Sequence, residues 1–389
     1  MREGVRTRIA GWQSRSLLAG LSGVLLCVTA FLLDRTQFLR SYLFAYMFWT
    51  GMAMGCLGIL LLHHTVGGKW GMVIRRLCEA GARTLPYMAI LFLPIAAAIP
   101  VLYVWARPEA AADALLAKKA AYLNVPFFLV RAAAYFAIWT LYASLLSRWS
   151  AEQDRTGDPR LMGRMRAASA PGLVVFTVTA TFAFVDWVMS LEPHWFSTVY
   201  GAMFLMGEVL EAFALVIALV IVLSQMEPLR HHVTPQHLHD LGNMMFAFTV
   251  LWAYLAFSQY LIIWAGNLPE EIPWYVRRLG QGWGAVAVII VLFHFCVPFL
   301  LLLQRDIKRH ARRLFRVCML LIVVRLIDVY WVVKPSFENR IHVQWTDFVT
   351  PLSVGGLWLA LFFWQLNRTE LVPIKDPRLE GTPRETVAF

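Results

Sequence analysis

Seven ionisable side chains stand inside long apolar runs of this chain, where a charge always asks for an explanation. They are Arg131, Asp186, Glu208, Glu211, His294, Arg325 and Asp328. Glu208 and Glu211 are three residues apart, so on a helix they share one face. Two carboxylates desolvated together cannot both ionise cheaply, so such a pair is expected to share or hold a proton. That makes them candidates for a proton relay; the alternative is a neutral, hydrogen-bonded or cation-paired couple with a structural role. Arg325 and Asp328 have the same spacing and form a plausible intrahelical ion pair, which is either part of that relay or simply a neutralised couple. Arg131 has no acid within reach on its own helix. Its partner is expected to be Asp186, Glu208 or Glu211 across the bundle, or else a headgroup or ligand. His294, alone on an apolar face, reads as a packed, hydrogen-bonded histidine.

The elements that must position these groups follow from composition. Hydrophobic residues make up 59% of the 389 residues, charged residues only 15%, and the mean hydropathy is +0.60. A soluble domain needs more charge than this to cover its surface. The apolar residues form blocks of about 20, the length at which a helix crosses the hydrocarbon layer, and in lipid such runs must pair their own backbone groups. The spacing predicts an all-α membrane protein with ten spans near 16–33, 42–63, 85–105, 122–146, 170–191, 198–225, 241–265, 282–303, 314–333 and 349–366. The membrane domain thus covers 1–366, followed by a polar, extended tail over 367–389. The net charge of +11 sits in short connections between spans, which excludes nucleic acid as its reason. With the N-terminus inside, 24 Lys and Arg fall on the inner side and 9 on the outer, which places both termini in the cytoplasm.

An internal repeat is visible as well. FVDWVMSLEPHWF (184–196) and LIDVYWVVKPSFE (326–338) align at an offset of 142, which superposes Asp186 on Asp328, Pro193 on Pro335 and Trp195 on Phe337. His-His pairs close spans two and six, at His63-His64 and His231-His232. The pattern predicts two four-helix bundles of like orientation, spans 2–5 (about 42–191) and 6–9 (about 198–333), flanked by spans 1 and 10. Five scattered cysteines with no C-x-x-C pair, and no depth-matched histidine pair, predict that this chain holds no iron–sulfur cluster, haem or other metal of its own.

The connection between spans five and six, MSLEPHWFSTVYG (189–201), crowds Glu192, His194, Trp195 and Tyr200 next to Asp186. An acid and a histidine at the membrane face are what quinol oxidation needs, because its protons must pass to an acceptor within hydrogen-bond reach. The same groups would serve as the outer mouth of a proton path. Together with Arg131 they are candidates for quinol binding or for that mouth.

The stretch WVMSLEPHWFSTVYG (187–201), the RMRAASAPGL segment (164–173) and the ten-span layout resemble the membrane subunits of alternative complex III. That assembly is a bacterial quinol:cytochrome c or quinol:oxidase oxidoreductase, and its large membrane subunits belong to the NrfD/polysulfide-reductase-like superfamily. The resemblance covers most of the chain and implies two four-helix bundles with flanking spans. By length the chain is similar to the ActF type, credited with a proton path or a supporting role, rather than the longer ActC type, which carries the quinol site. Asp186, Glu192, His194 and Trp195 carry over as the shared motif. The resemblance further implies residence in the bacterial inner membrane and a quinol, menaquinone or ubiquinone, nearby. The implied partners are an ActC-like subunit, an iron–sulfur subunit, haem c subunits that hold the redox centres, a terminal oxidase, and membrane lipids. A quinol-binding ActC-like subunit and a secondary transporter are the rival readings. The transporter would need matched broken helices at the midplane. A periplasm-active reporter fused after Phe389 is expected to stay silent, and strong activity there would reverse the orientation.

Overall fold

A computed structural model of the chain describes residues 2–227, 229–373 and 375–376. The chain is an all-α, multi-pass membrane protein. Nine helices are long and apolar enough to cross a membrane among these residues, and no strand occurs among them. In chain order the spans are α1 (Arg2–Leu33), α2 (Arg35–Val66), α3 (Arg75–Ala97), α4 (Val125–Thr156), α5 (Arg160–Trp187), α6 (Tyr200–Leu223), α7 (Pro235–Gly266), α8 (Trp283–Leu303), α9 (Ala311–Val333) and α10 (Thr346–Asn367). The tenth is α9, which has the length to span at 23 residues but carries Arg316, Arg325 and Asp328 along it.

Side-chain caps fix where several helices start. Asp34 accepts from the Gln37 N–H, Asn124 from that of Phe127, and Thr234 forms a capping box with His237. Gly157 and Asn267 end α4 and α7 in the left-handed conformation, at φ 72° and 48°. Several spans differ from the sequence expectation: α4 runs on to Thr156 rather than about 146, and α5 starts at Arg160 rather than about 170. Helix α1 runs from Arg2 rather than from about 16. Helix α3 starts ten residues earlier than expected, at Arg75, because its arginines are neutralised within the protein. It is broken after Ala82 and Leu91 and ends at Ala97, each time shortly ahead of a proline: Pro86, Pro94 or Pro100. Helix α8 contains a π-helical segment, Val291–Cys296, ahead of Pro298. The broken helices are not counterparts in the repeat, since α3 would match α7.

Packing forms two rings. Helices α2 to α5 contact one another around one ring and α6 to α9 around the other, while α1 lies along α10. The rings meet where α2 packs on α6, with the paired crossings α5 on α6 and α2 on α9. Helices α2 and α6 form the centre: 89% and 78% of their most apolar stretches are buried, against 17% for α1 and 22% for α8. Glycines permit the close approach, since a hydrocarbon solvent favours small residues between helices. A Cβ on Gly55 would stand 2.3 Å from the Glu208 carbonyl oxygen, and one on Gly51 would stand 1.5 Å from Glu208 Oε2. At the other seam, a Cβ on Gly356 would stand 2.4 Å from the Gly20 nitrogen.

After Asn367 the chain turns back on the bundle. Leu371 and Val372 are buried, Lys375 Nζ donates to the Arg155 carbonyl (2.6 Å), and Asp376 pairs with Arg75 (3.2 Å). The rest of the expected extended tail, from 377, lies outside the described residues. Gly55→Val should overpack the α2–α6 seam and lower stability by about 1–3 kcal/mol or more. Thermal unfolding in detergent checks this against Gly11→Ala, where nothing lies within 4 Å of the new methyl and a change between neutral and about 1 kcal/mol stabilising is expected.

Candidate functional site

The seven ionisable groups singled out from the sequence fall into two clusters. In the first, Arg131 of α4 grips Asp186 of α5 with two hydrogen bonds, Nε to Oδ2 (2.8 Å) and Nη2 to Oδ1 (2.9 Å). The Tyr135 hydroxyl donates to the same carboxylate (2.9 Å), and a third Arg131 bond goes to the Tyr122 carbonyl (3.0 Å). The guanidinium also lies 3.8 Å from the Tyr122 ring centre and 4.3 Å from that of Phe127. Asp186 is therefore a fully partnered carboxylate in a forked pair, the geometry that best offsets desolvation. Of the partners open to Arg131 from sequence, Asp186 is the one it meets.

The second cluster sits at the seam between the rings. Arg325 of α9 donates from Nη2 to Glu208 Oε1 (3.0 Å) and to the Phe204 carbonyl (3.3 Å), both on α6. Its Nη1 pairs with Asp328 one turn on, and its Nε lies 3.6 Å from Glu211 Oε2. Glycines again make the room: a Cβ on Gly207 would stand 2.4 Å from Arg325 Cζ. From α8, His294 Nδ1 lies 3.9 Å from Asp328 Oδ2, with its ring centre 4.0 Å from that of Trp252. Glu208, Glu211, Arg325 and His294 are all essentially sealed, at 0% or 1% exposure. Three carboxyl groups thus face a single guanidinium. Glu208 Oε2, both Glu211 oxygens and both His294 nitrogens have no hydrogen-bond partner among the described residues. Such atoms occur elsewhere in the bundle too, so what sets this cluster apart is that three carboxyls share one guanidinium; π-helical turns such as the one bearing His294 recur at functional sites.

No hydrogen bond or ion pair joins the two clusters among the described residues. The residues of the 189–201 connection are engaged in a different task. Glu192 accepts from Arg278 (2.7 Å), Arg277 (3.1 Å) and Ser336 (2.9 Å). Trp195 stacks on Trp274 at 5.0 Å between ring centres and donates to the Glu271 carbonyl (3.0 Å). Tyr200 is buried edge-on to Trp274. These bonds lock one ring's connection onto a short helix, Pro273–Leu279, of the other. His194 is exposed and pairs with Asp113 (2.7 Å), whose carboxyl is held below the usual range first by that hydrogen bond and then by the Leu116 and Leu115 N–H groups. The second-ring position aligned with Glu192 carries Lys334, which pairs with Asp347 and Glu338, each at 3.0 Å.

Sequence reasoning missed a third group. Arg75 and Arg76, both buried, clasp Glu79 at 3.0 Å and 2.6 Å, and Arg76 also pairs with Asp154. Ser150 and Gln153 complete the set as acceptors for Arg75, at 2.7 Å and 3.1 Å. The signal was present as Arg-Arg-x-x-Glu, spaced for one helical turn. No group of three or more His, Cys, Asp or Glu is placed to hold a metal ion among the described residues, and all five cysteines are unpaired thiols.

Asp186→Asn should strand the buried Arg131 charge and lower stability by about 3–5 kcal/mol. The Arg131→Met, Asp186→Leu double variant should lose much less, which thermal unfolding of the two variants beside the unaltered protein measures. No protein-family model matches this chain and no curated protein matches it, so its functional reading stands on the geometry of these clusters.

Proposed function

We propose that the chain is a membrane subunit of a quinol-oxidising respiratory assembly of the alternative complex III kind, ActF type, and that the Arg325 cluster passes protons for it. The observation that carries this reading is the charge imbalance at the seam. One guanidinium neutralises one carboxylate, so a neutral cluster must also hold protons on two of Glu208, Glu211 and Asp328. A site that must hold protons, with unpartnered oxygens to pass them along, has the composition of a relay.

Position supports the same reading. Asp328 lies five residues from the end of α9 and Glu208 eight from the start of α6, about 8 and 12 Å below one face at 1.5 Å per residue. We take that face as periplasmic and the basic face as cytoplasmic, from the excess of Lys and Arg. The chain then sits in a bacterial inner membrane with both termini inside, and the redox centres, haem c and iron–sulfur clusters, belong to partner subunits. Asp186 and His194 each serve another bond, Arg131 and Asp113 respectively, which favours the relay over a quinol site built from that pair.

Glu208→Gln with Glu211→Gln keeps shape and removes two titratable groups. In the purified assembly, reconstituted in vesicles, proton movement per electron should fall while quinol oxidation and subunit content persist. Unchanged proton movement in an assembled double variant would show that the pair is structural.

A further inference from the structure

The second ring encloses a cavity of about 790 Å³, within the range of sites that hold small molecules. Arg325 and Asp328 of the ion cluster are part of its otherwise largely apolar lining. The side walls are aromatic, with Phe204, Trp252, Trp274 and Trp331 among them. The locked connection described above roofs it, since Trp274 stacks beneath Trp195, and Gln259 of the lining holds Ser197 (3.0 Å). Tyr254 and Phe257 of α7 and Val288 and Val291 of α8 also line the cavity. All four are exposed on spanning helices, at 64%, 61%, 58% and 55%. In a membrane that surface faces hydrocarbon, so this side of the cavity admits molecules dissolved in the bilayer and not ions from water.

We infer that this cavity binds a membrane-dissolved amphiphile with a neutral, hydrogen-bonding head directed at Arg325, Asp328 and Gln259 and an apolar chain leaving between α7 and α8. The charged end fixes the class of head. A phosphate diester placed this far below the interface would bring another negative charge to a cluster that already has more carboxyls than cations. A hydroxyl or carbonyl head adds no charge and finds both a donor, the guanidinium, and an acceptor, Asp328. Aromatic walls suit a flat ring or an acyl chain alike. A prenylated quinone and a neutral single-chain lipid share this chemistry. The inference does not rest on the proton relay: the cavity can bind such a molecule whether or not Glu208 and Glu211 move protons.

The test uses the full-length protein in phospholipid nanodiscs, with decylubiquinone and monoolein as separate probes. Saturable retention of at least one probe after gel filtration is expected. Ala253→Trp and Ala287→Trp, which place an indole in the cavity, should each lower that retention about tenfold or more. Retention of decylubiquinone alone identifies a ring-headed occupant, and of monoolein alone an acyl one. Retention of neither probe, or equal retention by variants with unchanged circular dichroism, overturns the inference. A measurement on the unaltered protein covers the case in which the variants misfold. A diazirine-bearing monoacylglycerol should label peptides containing Trp252 or Trp331 well above the exposed surface of α1. Even labelling of the two overturns the inference as well.

Discussion

Arg325 holds a positive charge inside the hydrocarbon layer, and much of the protein's centre is arranged to tolerate it. An ion there has no water to answer it, so its partners must come from the protein. Three helices contribute: α9 carries the arginine and Asp328, α6 brings Glu208, Glu211 and a backbone carbonyl, and α8 brings His294 beside Asp328. The glycines of α2 and α6 follow from the same requirement. Gly51 and Gly207 leave the space that the Glu208 carboxyl and the guanidinium occupy. The tight seam between the rings and the buried cluster are therefore one feature, since widening either helix surface would displace the ions.

The two rings use one aligned aspartate in opposite ways. Asp186 is satisfied by a forked arginine and a tyrosine, every oxygen engaged, and reads as a tie between α4 and α5. Asp328 shares its arginine with two further carboxyls and borders a cavity open to the membrane. A tie gains from being closed, because each missing bond leaves a buried charge exposed to a low dielectric. A site that exchanges protons needs lone pairs left over, as Glu208 and Glu211 have and Asp186 does not. The faces show a similar divergence, with Glu192 bound by arginines in one connection and Lys334 bound by carboxylates at the matching place in the other.

Long apolar runs are the strongest signal a sequence carries, so the apolar stretches of the spans from α4 to α10 were legible, while the polar ends by which α4 and α5 each run about ten residues further were not. The shared faces of Glu208 with Glu211 and of Arg325 with Asp328 were legible from helical spacing alone. Which helices meet was not, because pairing across the rings depends on packing that no local pattern encodes; Arg131 had three acids to choose from. The start of α3 was misread as a connection because Arg75, Arg76 and Glu79 look like loop charges until their mutual neutralisation is seen. The crowded acid, histidine and aromatics of 189–201 suggested a reactive surface. Glu192, Trp195 and Tyr200 instead fasten the two rings, and their partners, Arg277, Arg278 and Trp274, lie about eighty residues away. The cavity and the π-helical turn at His294 left no mark in the sequence.

The central claim is that the Arg325 cluster holds exchangeable protons on its carboxyl groups. Infrared spectroscopy of the protein in nanodiscs at neutral pH reads this directly, through the carbonyl stretch of protonated carboxylic acids and its shift in deuterated water. The account predicts such a band, sensitive to deuteration and diminished in the Glu208→Gln, Glu211→Gln variant. A spectrum with no protonated-carboxyl band at neutral pH, or with a band unchanged in that variant and in Asp328→Asn, would contradict it.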